Sequence, residues 1–167
     1  MKLKSRGFIS AFPGTGKSTI HKNGYDYGLY PMTVDGYAVY RMVRPVGTPA
    51  VFDSDSSTYD KSEFPDNYIN WMVKTLQNNV LDGFLALVSS HDNVRAAMHE
   101  RGLAYTLVYP DRSLKEEYIE RYTKRGNAPG FIQLMQDKWD QFIDSCEQDP
   151  TPNKIVLQSG QFLKDVL

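Results

Sequence analysis

The chain alternates short, continuous hydrophobic runs with longer stretches in which apolar residues recur at helical spacing. The short runs are Gly7–Phe12, Ala50–Asp53, Phe84–Val88, Ala104–Tyr109 and Lys154–Gln158. Such runs suit strands buried on both faces of a parallel sheet. Between them the spacing predicts helices. One starts near Gly16–Lys17 and stops by Asn23-Gly24, and a second starts at Asp66 and carries Ile69, Met72, Val73, Leu76 and Val80 on one face. Asp92 suits the cap of a third, running from about Asn93 to Arg101 and closed by Gly102. Ser113-Leu-Lys-Glu116 reads as a capping box for a helix ending at Gly126. Phe131, Leu134, Met135, Trp139, Phe142, Ile143 and Cys146 trace the apolar face of a long helix, and a short one is expected after Ser159-Gly160.

Strands alternating with helices predict an α/β fold, a parallel sheet with helices on both faces. The stretch 24–49 breaks the alternation. It holds tyrosines 25, 27, 30, 37 and 40 and the hairpin signal Val34-Asp-Gly-Tyr37, so it reads as an inserted β-hairpin or lid.

Composition narrows the class without naming a function. A length of 167 residues suits one domain that needs no staples. Hydrophobic content of 41% and charged content of 23% argue against disorder, and a net charge of −1 gives no global basic bias toward nucleic acid. Cys146 stands alone, so no internal disulfide forms, and its apolar neighbours suggest a buried thiol. With no signal peptide and no long apolar run, the expectation is a soluble, cytoplasmic protein without a membrane partner.

The strongest chemical signal is Ala11-Phe-Pro-Gly-Thr-Gly-Lys-Ser-Thr19 between a strand and a helix. A glycine-rich turn entering a helix converges backbone N–H groups on a phosphate. Pro13, Gly14, Thr15, Gly16, Lys17, Ser18 and Thr19 form the candidate phosphate-binding loop. Lys17 is placed to bridge the β- and γ-phosphates of ATP, and the Ser18 hydroxyl to bind Mg²⁺. Ala11 stands where the usual pattern has its first glycine.

Asp53-Ser-Asp55-Ser-Ser-Thr58 directly follows the second strand, at the sheet end where ligands of parallel folds sit. Asp53 and Asp55 can hold Mg²⁺ through water or accept a proton from an acceptor hydroxyl, and the same residues suit a helix cap or an Asx-turn. The third strand leads into Ser89-Ser-His91 with no terminal acid, which argues against a motor ATPase. His91 can touch an acceptor or cap a helix. Arg95 can hold an acceptor phosphate or lie on the helix surface. Arg112, Lys115, Arg121, Lys124 and Arg125 precede Gly126, and a lid-like segment over 111–130 would bring Arg121 and Arg125 to transition-state charge. Glu116, Glu117 and Glu120 on the same helix admit a salt-bridged, solvated face instead.

In this order, the glycine loop, acidic turn and arginine-bearing segment resemble the P-loop nucleoside monophosphate kinase superfamily. Ile9–Thr19, Asp53–Ser57, Val88–His91 and Leu107–Pro110 look like a phage-associated group of small putative nucleotide kinases. The resemblance implies a three-layer sandwich on a five-stranded sheet of order 2-3-1-4-5. It also implies an ATP·Mg²⁺ donor and adenine near the lid helix and the Ser159-Gly160 turn. The expected function is transfer of the ATP γ-phosphate to a small nucleotide acceptor, a (deoxy)nucleoside monophosphate ahead of a nucleic acid or a small metabolite. A non-catalytic nucleotide sensor ranks last. Arg41 and Arg44, with the tyrosines of 24–49, could hold phosphates and stack bases, though those tyrosines read more readily as the insertion's own core. The oligomeric state is not legible.

Overall fold

The structure, a computed structural model, describes residues 2–33 and 44–167. Its strands are β1 (Gly7–Ala11), β2 (Tyr30–Met32), β3 (Ala50–Asp53), β4 (Phe84–Ser89), β5 (Tyr105–Pro110) and β6 (Lys154–Leu157). Its helices are α1 (Lys17–Lys22), α2 (Asp66–Asn78), α3 (Asp92–Glu100), α4 (Lys115–Lys124), α5 (Pro129–Glu147) and α6 (Leu163–Val166). Every pairing is parallel, and the sheet order is β2-β3-β4-β1-β5-β6.

The strand side chains explain why helices cover both faces. Phe8, Phe52, Ala86 and Val88 point into one apolar cluster, completed by α2, α3, α4 and α5 through Met72, Met98, Tyr118 and Trp139. Their neighbours Ile9, Val51, Leu85 and Leu87 join the other cluster, with Ile20 of α1 and Leu163 of α6. Successive strand residues face opposite ways, so a continuous apolar run feeds two cores at once.

Several expectations change. The sheet has six strands rather than five, and the order 2-3-1-4-5 is corrected accordingly. The extra strand is β2, drawn from the presumed insertion; β3, β4, β1, β5 and β6 lie beside one another in that sequence. Within 24–49, Gly24–Tyr27 forms a 3₁₀ turn, and β2 runs parallel to β3, as no hairpin arm would. The hairpin signal at Val34–Tyr37 lies outside the described residues.

Asp92 is the first residue of α3, not its cap, which is His91. The capping box at Ser113–Glu116 does not form. Instead the Asp111 carboxylate accepts the Ser113 N–H at 3.0 Å and starts a 3₁₀ turn ahead of α4. Leu76 and Val80 are exposed, because α2 ends at Asn78 and turns only Tyr68, Ile69, Trp71, Met72 and Thr75 fully inward. Cys146 is buried as expected, and burial pushes its thiol up to about 11. No described helix is long and apolar enough to cross a membrane.

Candidate active site

Between β1 and α1 the chain turns through Gly14 (φ 84°) and Gly16 (φ 97°), both left-handed. A side chain at Gly14 would also put its Cβ 2.9 Å from Cε1 of Tyr122. The loop is anchored from inside. The buried Thr15 hydroxyl donates to Phe12 O at 2.7 Å, and the Leu163 N–H donates to Thr15 O at 2.9 Å. Tyr122 Oη donates to Pro13 O at 2.9 Å. With the carbonyls drawn inward, the backbone N–H groups of residues 14–19 meet no protein acceptor among the described residues. A run of unpaired donors around a tight turn is a receptor for an anion.

Lys17 points back along the loop, and its Nζ donates to Ala11 O at 2.8 Å. It makes no salt bridge among the described residues. Desolvation lowers its pKa to about 8, an effect opposed by Asp53, reinforced by Arg125 and opposed again by Asp55. A desolvated ammonium with no direct counter-charge gains from any anion that arrives.

Asp53 ends β3 opposite Leu87 of β4, half-buried, and its carboxylate has no hydrogen-bond donor among the described residues. Asp55 is used differently. Its Oδ1 accepts the Ser57 N–H at 2.9 Å and caps the turn Ser56–Thr58, so of its two readings the Asx-turn is the one the geometry shows. The Ser18 hydroxyl is exposed and unengaged. Mg²⁺ is held at phosphate sites by few protein groups and several waters, so Ser18 and Asp53 fit that role, and Asp55, capping the turn through Oδ1, keeps its Oδ2 for it. Among the described residues there is no cluster of three or more His, Cys, Asp or Glu that would hold a metal unaided.

The arginine-bearing segment packs directly on the loop. Arg121 donates to Gly14 O at 3.0 Å and pairs with Glu117 at 3.0 Å, its guanidinium 4.3 Å from the Tyr118 ring and 4.0 Å from that of Phe162. Glu117 also accepts from Ser159 Oγ at 2.6 Å, joining α4 to the turn after β6. Arg125 is exposed and donates only to Asn127 Oδ1, at 3.1 Å. The salt-bridged reading of this helix is seen in Lys124–Glu120 in solvent and Arg121–Glu117 beside the loop, while Arg125 acts on Lys17 through its charge. Arg112 is bound to Asp140, Asp144 and Glu147, away from it.

Two expected acceptor residues are elsewhere. Arg95 is buried, with its donors spent on Asp149 (2.7 Å), Ser145 Oγ (2.6 Å), and the Ser90 and Ser145 carbonyls. A cavity of about 640 Å³ adjoins that pair between α3 and α5 and shares no residue with the loop. Arg44 pairs with Asp82 at 2.9 Å and donates to Asn79 at 3.2 Å, near the start of β4 and so at the opposite end of the sheet. Arg41 lies outside the described residues.

His91 follows β4, whose last residue Ser89 pairs with Ala11 of β1, so it lies at the loop's end of the sheet. It is exposed at the mouth of a second cavity of about 310 Å³, and its ring nitrogens have no partner. Crowding by surrounding protein, then the Lys17 charge, holds its imidazole below the usual pKa. The same cavity has an aromatic wall of Tyr59 and Phe64, neutral donors and acceptors at Ser56, Ser57 and Asn93, and Lys61 at its rim. Sequence reasoning missed Tyr59, Lys61 and Phe64, because 59–64 carries neither periodicity nor a known spacing. It also missed Tyr68. From inside α2 its Oη donates to Ser54 O at 2.7 Å and accepts the Ser89 N–H at 3.1 Å, tying the end of β3 to that of β4. No protein-family model matches the chain, and no curated protein matches it.

Proposed function

We propose that the chain is a P-loop phosphotransferase that moves the γ-phosphate of ATP to an acceptor of nucleoside or nucleotide class. The observation that carries this reading is the run of unpartnered N–H groups over residues 14–19, with the desolvated Lys17 ammonium among them. Together they offer oriented donors and an uncompensated positive charge to a polyphosphate.

In this reading Lys17 bridges the β- and γ-phosphates, leaving Ala11 O for the ligand. Ser18 and Asp53 would hold Mg²⁺, which when bound would supply neutralisation of phosphate charge. Arg125, whose charge already acts on Lys17, meets the developing charge on the transferred group. Arg121 keeps α4 against Gly14 and so fixes the loop's shape. Adenine lies beside α4 and the Ser159-Gly160 turn, and the acceptor enters the cavity bounded by Ser56, Phe64 and His91.

The described tyrosines of 24–33 do not favour a nucleic-acid acceptor. Tyr25 and Tyr30 meet edge to face at 5.6 Å, and Tyr27 packs against the core. The testing experiment incubates the protein with ATP·Mg²⁺ and a panel of nucleosides, nucleotides, hydroxy acids and oligonucleotides. Acceptor-dependent ADP release that is lost in Lys17→Ala is expected. Absence of ADP release with every acceptor would overturn the reading.

A further inference from the structure

An acceptor phosphate would bring up to about two further negative charges close to those of the donor. The cavity beside the loop is poorly equipped for that. Among the described residues lining it, Lys61 is the one lysine or arginine and is exposed, burial and the Lys17 charge lower the His91 pKa, and the remaining polar side chains are Ser56, Ser57, Tyr59 and Asn93. The two arginines the sequence offered for an acceptor phosphate and that the structure describes, Arg44 and Arg95, are spent in ion pairs elsewhere.

What the cavity does present suits an uncharged ring bearing a hydroxyl. Phe64 stacks on Tyr68 at 5.8 Å and 23°, and Tyr59 tilts against Tyr68 at 4.7 Å, so both wall rings are braced from behind. A planar base gains by lying on such a surface. Ser57 and Asn93 are exposed at the same mouth, within the reach of polar base or sugar edges. Asp53 and His91 have no hydrogen-bond partner among the described residues, and of the two it is His91 that lines the cavity.

We infer that the acceptor is a free nucleoside, taken up through its hydroxyl, with the His91 imidazole as the base that receives the hydroxyl proton. The hydroxyl oxygen forms a bond to the γ-phosphorus as the bond from that phosphorus to the β,γ-bridging oxygen breaks. ADP departs with that electron pair, and the proton passes to a ring nitrogen of His91. The inference rests on the phosphotransferase reading and narrows it.

The test supplies γ-labelled ATP·Mg²⁺ with, in parallel, the common deoxynucleosides, their monophosphates and a single-stranded oligonucleotide, and asks where the label appears. A labelled nucleoside monophosphate is expected. Label in diphosphates or in the oligonucleotide, with free nucleosides inert, overturns the inference and leaves the phosphotransferase reading standing. No transfer to any acceptor overturns both. His91→Asn keeps a residue that caps helices well, so α3 should form. It is expected to lower kcat by about a hundredfold with little change in the KM for nucleoside. Phe64→Ala should do the reverse, raising that KM roughly tenfold. An unchanged kcat in His91→Asn overturns the assignment of the base.

Discussion

The Lys17 ammonium donates to the carbonyl oxygen of Ala11 at 2.8 Å, and no carboxylate among the described residues pairs with it directly. The two residues flank the turn of the phosphate loop, so a dipole from the loop's own backbone holds the side chain in place. Desolvation brings its pKa down to about 8, a state that an arriving polyphosphate reverses. From about pH 8 upward the free protein progressively loses this proton, while a bound polyphosphate would hold it. ATP binding just above that pH is therefore expected to take up a proton. Calorimetric titrations in buffers of different ionisation enthalpy measure the uptake directly, and buffer-independent heats would contradict it.

The same lysine costs the fold stability. A lysine whose folded pKa lies below its unfolded value disfavours the native state while charged in both. That penalty is fully present below about pH 8 and is relieved as pH rises from there toward 10.5. Lys17→Met is expected to raise Tm at neutral pH while abolishing ATP binding. Thermal melts with and without ATP·Mg²⁺ check both halves: wild type should be stabilised by ligand and the variant should not.

Gly14→Ala tests the loop without touching charge. Alanine would have to hold φ 84° with its Cβ 2.9 Å from the Tyr122 ring. The substitution should destabilise by more than about 1 kcal/mol and weaken ATP binding, because either the turn or α4 must shift. Denaturant unfolding and an ATP titration measure the two effects.

Tyr68→Phe removes one oxygen that serves both Ser54 O and the Ser89 N–H. Leaving buried groups unpaired is expected to cost about 1–3 kcal/mol in urea unfolding. Because those groups end the strands that carry Asp53 and lead to His91, acceptor KM should rise more than ATP affinity falls.

Arg95→Ala separates stability from function. The Arg95–Asp149 pair has side chains only 5% and 3% exposed, so removing the arginine strands a buried carboxylate. A loss of about 3–5 kcal/mol is expected, with ATP affinity of the folded protein unchanged. Reduced affinity at equal folded fraction would show that Arg95 reaches the site after all.

The glycine loop was legible because one short segment carries its signals together: the apolar run to Phe12, the glycines at 14 and 16, then Lys17 and Ser18. Other features depended on distance. Nothing local told Arg95 from a surface arginine, since its partner Asp149 lies on the far side of α5. Strand β2 was hidden because Tyr30-Pro-Met32 is too short for a pattern, and Pro31 reads against a strand. At the sheet edge a missing N–H is tolerated. The cavity wall at Tyr59 and Phe64 was equally silent, because irregular chain acquires meaning only from what it packs against, here Tyr68.

The central claim is transfer of phosphate from ATP to an acceptor, and phosphorus NMR of a single reaction tests it most directly. With ATP·Mg²⁺ and a mixture of nucleosides and monophosphates, the γ-phosphate resonance should fall as ADP and a new phosphorylated product rise in equal amounts. An unchanged ATP spectrum, or ADP accompanied only by inorganic phosphate, would contradict the account.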